Sequence, residues 1–385
     1  MKKILEQILL HNKCKIEEWF LRKQDLNSPI YSSVDIRNIG FKSSPVDTNL
    51  FPAGFNNLTE SGNNKSSEDL KEFLKKYHPH AVNIAIFTEL FTRHSGYWNH
   101  IKALVGLFAS LKIEVRLLTS CDPATREEIS RFAGIQIHQI FSKENRIITA
   151  DNWKADLVVL NNDLTSGMPK EFIDSHTAIT PQPRLGWHKR SKYKHFQSYN
   201  NLVGEFCLEF NIDPWLMKTY VDICHNISFR EKKGFSLLGQ KIDQMLYKIA
   251  EKYTKYDIKR KPYIFLKADN GSLGRGIICV HSANDLMLLN KKCRHSINTI
   301  KGNVVNENIL LQEGVETIER YNDFSAENTI YLVGGKVVGG FTRYNTLKTN
   351  RENLNSKGIA IASCKEISFT EATLARLATL ATIFE

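Results

Sequence analysis

The sequence has no C-x-x-C pair, no internal repeat, no low-complexity tract and no G-x-x-x-x-G-K-[ST] loop. It also lacks any apolar run near the about 18 residues that a membrane helix needs. Each absence excludes something. The cysteines number seven (Cys14, Cys121, Cys207, Cys224, Cys279, Cys293 and Cys364), an odd count without paired spacing. Neither a disulfide framework nor a structural zinc site is expected, and a reducing cytoplasm is the simplest setting. No cysteine sits in a nucleophile-like context, so all read as small core hydrophobes. No membrane segment is expected. The start is basic at Lys2 and Lys3, as in a signal peptide, but Glu6, Gln7 and His11 break the apolar stretch and favour a helix.

What is present is a chain of 385 residues, 42% apolar and 24% charged, the mix of a soluble globular protein of two or three domains. Its formal charge is +11. Residues 181–204 carry five Lys/Arg and no acid, and residues 230–261 carry ten against four acids. Together those segments equal the surplus, while 205–229 takes back three charges. A concentrated positive field suits a polyanion: nucleic acid, or a nucleotide triphosphate with anionic substrates. For 230–261 a solvated helical face is the alternative, because its lysines recur along Leu246, Ile249 and Tyr253.

Along the chain, 1–25 reads as one amphipathic helix. Residues 27–60 are rich in Asn, Pro, Gly and Ser, and 61–70 reads as a flexible connection leading into another helix. From Val82 the pattern is α/β: strands at 82–88, 113–119 and 156–162 alternate with helices at 95–111 and 123–133. This favours a parallel sheet covered on both faces, with ligands at the carboxyl ends of its strands. Glu89, Arg93 and Asn161 to Asp163 lie at such ends, although by themselves they read first as ordinary loop polarity. Residues 199–256 read as mostly helical. After Lys261-Pro262 come strands and glycine turns, then a final helix at about 369–384.

The stretch from Tyr263 to Ile278 presents Lys267 on a strand, then Gly271, Ser272, Gly274 and Gly276, then another strand. Such glycines let backbone N–H groups approach phosphate oxygens, and Lys267 can neutralise them. A glycine-rich β-turn without function is the alternative. The glycines lead into a strand, so this is no dinucleotide-binding fingerprint. Further on, an apolar strand ends in Gln312-Glu313-Gly314-Val315, a backbone edge able to pair with adenine. A Gly-Gly hairpin at Gly334-Gly335 then delivers Arg343.

This order of features resembles the ATP-grasp superfamily. The resemblance implies a glycine-loop lid at 271–276, Lys267 on the phosphates, adenine at Gln312, Glu313, Gly314 and Val315, and Arg343 on the transferring phosphoryl group. Asn353 and Asn355 would lie near the phosphates. The metal-ligating carboxylates that usually close such a domain are missing after Gly358. At the other end of the chain, Asp35, then Asp47 and Asn49 followed by Pro52 and Gly54, supply that pattern. A circularly permuted domain is therefore expected, with Asp35, Asp47 and Asn49 as metal ligands and Glu352 as an alternative. A structural Asn/Asp turn is the plain reading of the same residues.

The whole chain also resembles the proteobacterial glutamate–cysteine ligases of this superfamily. The resemblance rests on Asp35-Ile36-Arg37-Asn38 with Phe41-Lys42, on the string from Pro45 to Asn57, on Leu185 to His188, on Asp213-Pro214-Trp215, on Gln312 to Val315 and on Glu352 to Asn355. Leu273 and Arg275 depart from the expected loop. The resemblance implies an α/β (α+β) fold: a Rossmann-like parallel-sheet domain at 78–180, a basic helical region at 181–261, and a permuted ATP-grasp domain from 1–60 and 262–385. It implies ATP-dependent joining of glutamate to cysteine through an acyl phosphate, towards glutathione, with ATP and Mg2+ or Mn2+ required. Substrate contacts are expected from Arg37, Asn56, Arg184, His188 and Arg190, each of which could equally be an ordinary surface cation or polar group. Small-molecule partners are expected, without nucleic acid or membrane. Another carboxylate–amine ligase of the same fold, or a basic nucleic-acid-binding protein, remain as alternatives.

Overall fold

The structure, a computed structural model, describes residues 2–23, 28–270, 276–298, 307–364 and 366–385. The chain begins with two helices, α1 (Lys2–His11) and α2 (Lys13–Leu21), where the sequence predicts one. The break falls at Asn12, whose side-chain Nδ2 donates to the Ile8 carbonyl and so competes with the helical ladder. Strands β1 (Tyr31–Asn38) and β2 (Ser43–Asn49) form an antiparallel pair. Helix α3 (Glu60–Tyr77) follows, over the segment predicted to be a flexible connection. Thr59 caps it by accepting from Gly62 N, and Gly62, Ser66, Leu70 and Phe73 form its buried stripe. The small residues that look like a linker are there for close approach. A Cβ at Gly62 would stand 3.1 Å from the Val338 carbonyl oxygen.

The middle of the chain matches the α/β reading closely. It comprises β3 (Asn83–Thr88), α4 (Ser95–Ala109), β4 (Glu114–Thr119), α5 (Pro123–Ala133), β5 (Ile137–Gln139), β6 (Phe141–Lys143), β7 (Arg146–Ile148), β8 (Leu157–Asn161) and β9 (Ala178–Thr180). Five of these strands make a parallel sheet in the order β5-β4-β3-β8-β9, and β6 and β7 pair separately. Apolar residues cover both faces: Ile84, Ile86, Leu157 and Val159 on one, Ala85, Phe87, Val158 and Leu160 on the other. That two-sided burial is why these strands read as continuous apolar runs. Asp122 caps α5 and Gly134 ends it at φ +63°.

Next come α6 (Lys192–Glu209), β10 (Val221–Cys224), α7 (Phe235–Lys255), β11 (Ile264–Ala268), β12 (Ile278–Val280), α8 (Asp285–Leu288), α9 (Lys291–Asn298) and β13 (Ile309–Glu313). Strands β10-β13-β11-β12 form an antiparallel sheet, and β10 is a strand inside a region predicted to be helical. The chain continues with β14 (Arg320–Tyr321), β15 (Phe324–Val333), β16 (Lys336–Asn345), β17 (Ile359–Ser363) and α10 (Phe369–Ala381), the last opened by a Ser368/Glu371 capping box. The third sheet runs β17-β16-β15-β1-β2, with β14 on β15. Strands from the two ends of the sequence thus share one sheet. Its Val34, Ile36, Ile330 and Leu332 face α10, α1 and α6 in a single core.

One close approach extends the β11–β13 pairing by a residue. Gly314 N donates to the Tyr263 carbonyl, and a Cβ at Gly314 would lie 2.3 Å from the buried Tyr263 ring. Gly314→Ala is expected to destabilise the protein by about 1–3 kcal/mol through overpacking. Chemical denaturation checks this; an unshifted midpoint would show that the ring yields without cost.

Candidate active site

The mixed-origin sheet has an apolar face and a charged face, because side chains alternate along each strand. Asp35 on β1 stands opposite Asp47 on β2 and Thr329 on β15, and Glu327 on β15 stands opposite Arg343 on β16. The charged face meets the strand β11–β13 pair across a small cavity. Asp35, Arg37, Asp47, Lys267, Gln312, Glu327, Arg343, Asn353 and Asn355 line it. At about 50 Å³ it is far smaller than a cleft of about 450 Å³ beside Lys336 and another of about 520 Å³ beside Glu371. Density of buried charge, not size, marks it.

The charges interlock. Arg343 Nη1 donates to Asp35 Oδ2 at 2.8 Å and to Glu327 Oε1 at 3.0 Å. Arg37 Nε donates to Glu327 Oε2 at 2.7 Å, and its Nη atoms reach the Val315 and Glu352 carbonyls. Thr329 Oγ1 donates to Asp35 Oδ1. Burial opposes the charge on Glu327, but Arg37 and Arg343 outweigh it and hold its carboxyl below the usual range. For Asp35 burial wins over Arg343, so it is the weaker acid of the two. The buried Nε of Arg343 has no hydrogen-bond partner among the described residues.

From the other sheet, Lys267 Nζ donates to Gln312 Oε1 at 2.7 Å and to the Val46 carbonyl at 3.2 Å. Burial pushes this amine down to about 8, against the pull of Asp47. Asp47 itself accepts from Lys192 Nζ at 2.5 Å. Burial works against its charge, yet Lys192 and Lys267 hold it at about 2. The site therefore keeps a cation in reach of each carboxylate, and its lysine loses charge at a lower pH than an ordinary amine.

Behind the cavity, Lys42 and Glu313 form an ion pair with both side chains 1% exposed. Glu313 also accepts from Trp215 Nε1 and Tyr220 N, and Lys42 lies over the Trp215 ring. This fixes β13 to the β1–β2 turn.

The residues predicted from sequence fall into three groups. Asp35, Arg37, Asp47, Lys267, Gln312, Glu313, Arg343 and Asn355 come together around the cavity. Gln312 accepts from Lys267, and the Glu313 side chain turns to Lys42, Trp215 and Tyr220. The backbone edge expected to pair with adenine is already in use, because β13 lies between β10 and β11, Glu313 N and Gly314 N donate to the Tyr220 and Tyr263 carbonyls, and the Val315 carbonyl accepts from Arg37. Gly271, Ser272 and Gly274 lie outside the described residues; Gly276 has φ +67° just before β12. The rest stand elsewhere. Asn49 Oδ1 accepts from Phe51 N, and the Glu352 carboxylate accepts from Lys348 and Thr349. Asn56 is exposed and donates to Asn57. Arg184 and Arg190 are occupied by Glu385. His188 keeps a buried Nδ1 without a hydrogen-bond partner among the described residues, and burial lowers its pKa. The carboxyl end of the parallel sheet is covered: Asn161 donates to the Pro52 carbonyl and Tyr31 Oη, and meets His100.

Two contributors escape a sequence reading. Glu327 carries a signal in hindsight, as an acid inside the largely apolar 324–333 strand. Lys192, one more cation in a basic segment, carries none.

As a metal donor set, Asp35 and Asp47 offer hard oxygens from facing strands. Among the described residues no three His, Cys, Asp or Glu side chains group to hold an ion. Two carboxylates alone suit an ion that completes its shell with substrate phosphates, as Mg2+ does.

This is the arrangement of an enzyme that handles anionic small molecules, and the chain belongs to the glutamate–cysteine ligase family, whose model matches residues 6–380. It is a ligase that joins glutamate to cysteine in glutathione biosynthesis, a reaction that uses ATP and a divalent metal. Among solved structures it is similar to a candidate gamma-glutamylcysteine synthetase of Methylobacillus flagellatus KT. The match is 33% identical with a TM-score of 0.89, covering 99% of this chain and 95% of that one. D-alanyl-alanine synthetase A from Vibrio cholerae aligns at 11% identity and a TM-score of 0.29, over 76% of this chain and 78% of that one. No curated protein sequence matches.

Lys42→Met would leave Glu313 as an unpaired buried charge, at an expected cost of about 3–5 kcal/mol, and the double variant Lys42→Met/Glu313→Gln should recover part of it. Urea unfolding of both decides; a single variant as stable as the parent would mean Glu313 is solvated.

Proposed function

We propose that the charged cavity is where phosphoryl transfer from ATP to the γ-carboxylate of glutamate takes place. The observation that carries this is the convergence of Lys267, Arg343 and Arg37 with Asp35 and Asp47, drawn from two sheets and both ends of the chain. In this reading the γ-carboxylate attacks the γ-phosphorus and ADP leaves, giving an acyl phosphate. The cysteine amine then attacks the acyl carbon, phosphate leaves, and the amine gives up a proton. Lys267 and Arg343 take up phosphate charge, and the Gln312 to Val315 segment borders the adenine. Asp35 and Asp47 would hold the metal, with Asn49 as a further ligand if it leaves Phe51. The metal, Mg2+ or Mn2+, would supply positive charge that neutralises the phosphates. Most of the rate comes from positioning and charge stabilisation by groups already in place.

The fold reading that goes with this is an ATP-grasp domain in permuted order, built from 1–60 and 262–385, with a Rossmann-like unit at 78–180 and a connecting region at 181–261. The insertion of β1 between β15 and β2, under α10, supports it. The free cysteines support a reducing cytoplasm. No described helix is long and apolar enough to cross a membrane.

Phosphate release should require ATP, glutamate and cysteine together; equal release with other amines would sink the cysteine assignment. Arg343→Met is expected to lower kcat by about 10²–10³. Nucleotide affinity should also depend on pH through Lys267. Its free amine titrates at about 8, and a nearby triphosphate raises that value, so binding takes up a proton. Affinity is flat below pH 8 and falls above it, by up to about tenfold per unit, until the bound pKa is passed. Isothermal titration across pH 7–10 checks this, with Lys267→Met flattening the profile.

A further inference from the structure

Behind the Asp47 strand sits a buried polar group that the reaction does not use. Glu385 accepts from Arg190 Nε at 2.7 Å and Nη2 at 3.0 Å, and from His195 Nδ1 at 2.6 Å. Arg190 Nη1 goes on to the Thr48 carbonyl at 2.9 Å, and His195 Nε2 meets Thr48 Oγ1 at 2.9 Å. Side-chain exposure is 4% or less for Glu385, Arg190 and His195. Burial lowers the His195 pKa in spite of Glu385, so the ring is neutral. Its Nδ1–H then donates to Glu385 and its Nε2 accepts the Thr48 hydroxyl. Burial opposes ionisation of Glu385, but Arg190 and His195 hold it at about 2.

Thr48 stands between Asp47 and Asn49. Its carbonyl and its hydroxyl are both held, by groups that one carboxylate orients. The Asp47 side chain is 44% exposed, and its Oδ1 accepts from Lys192 Nζ at 2.5 Å and from the Thr48 backbone N at 3.2 Å. The position of its carboxylate therefore follows the backbone of β2 at Thr48. We infer that Glu385 is a positioning residue: through Arg190 and His195 it braces Thr48 and so sets where Asp47 offers its oxygens to the metal. This assigns Arg190 to metal positioning instead of substrate contact. The inference rests on the proposed metal role of Asp47. Outer partners of metal ligands typically matter about 10–100-fold in metal affinity.

The test measures Mn2+ binding by electron paramagnetic resonance on the full chain with saturating ADP, alongside thermal melting and steady-state kinetics at varied metal. Glu385→Gln is expected to weaken Mn2+ binding at least about tenfold, with kcat recovered at saturating metal. Arg190→Lys keeps the buried charge for Glu385 but loses the reach to the Thr48 carbonyl. It should melt close to the parent and still weaken Mn2+ binding several-fold, so the inference stays decidable if Glu385→Gln fails to fold. Parent-like Mn2+ affinity in Arg190→Lys, and in Glu385→Gln where it folds, would overturn the brace and leave a purely structural ion pair. Asp47→Asn is the separate control. If it binds Mn2+ like the parent, the metal reading itself fails; if it loses binding while the brace variants do not, only the brace fails.

Discussion

The site depends on β1 lying between β15 and β2. That antiparallel register sets Asp35 against Asp47 on one side and Thr329 on the other, and it brings Arg343 within reach one strand further on. Side chains alternate with period two, so a slip of one residue would send Asp35 and Arg37 into the apolar core and Val34 and Ile36 into the cavity. The core enforces the register, because Val34 and Ile36 must bury against α10 and α1.

Charge in such a place is tolerated only in compensated sets. Arg37, Glu327, Arg343 and Asp35 share three hydrogen-bonded contacts; Lys42 has Glu313; Arg190 has Glu385. Removing one member strands another away from water, which is why these groups behave as units. The +11 surplus takes on a narrower sense. In the 181–204 segment, Arg184, Arg190 and Lys192 are tied to Glu385 and Asp47, so part of that positive field is internal scaffolding.

Much of the architecture was legible from residue pattern. The parallel strands show as apolar runs because both of their faces are buried, and α5 shows its Asp122 cap and Gly134 stop. Lys267 and Arg343 were legible as cations at the ends of recognisable strand and turn patterns. The failures have local causes. Residues 61–70 look like a linker because Gly62 and Ser66 are small, but smallness there serves close packing on β16. Strand β10 is too short to break a helical reading, and it exists because β13 offers it an edge. Arg184 and Arg190 looked like substrate cations, since a sequence does not show that Glu385 returns to meet them.

By itself the sequence determined which segments are strands or helices where burial is periodic. It also determined which residue types could meet phosphate and metal, and, through long specific strings such as Pro45 to Asn57, the family. Only the tertiary structure decided which of those charged residues face the cavity and which brace it from behind. The reason is that ion pairs such as Arg37–Glu327 and Arg190–Glu385 join residues hundreds of positions apart. Their partners are chosen by sheet register and helix packing, and no local pattern carries that information.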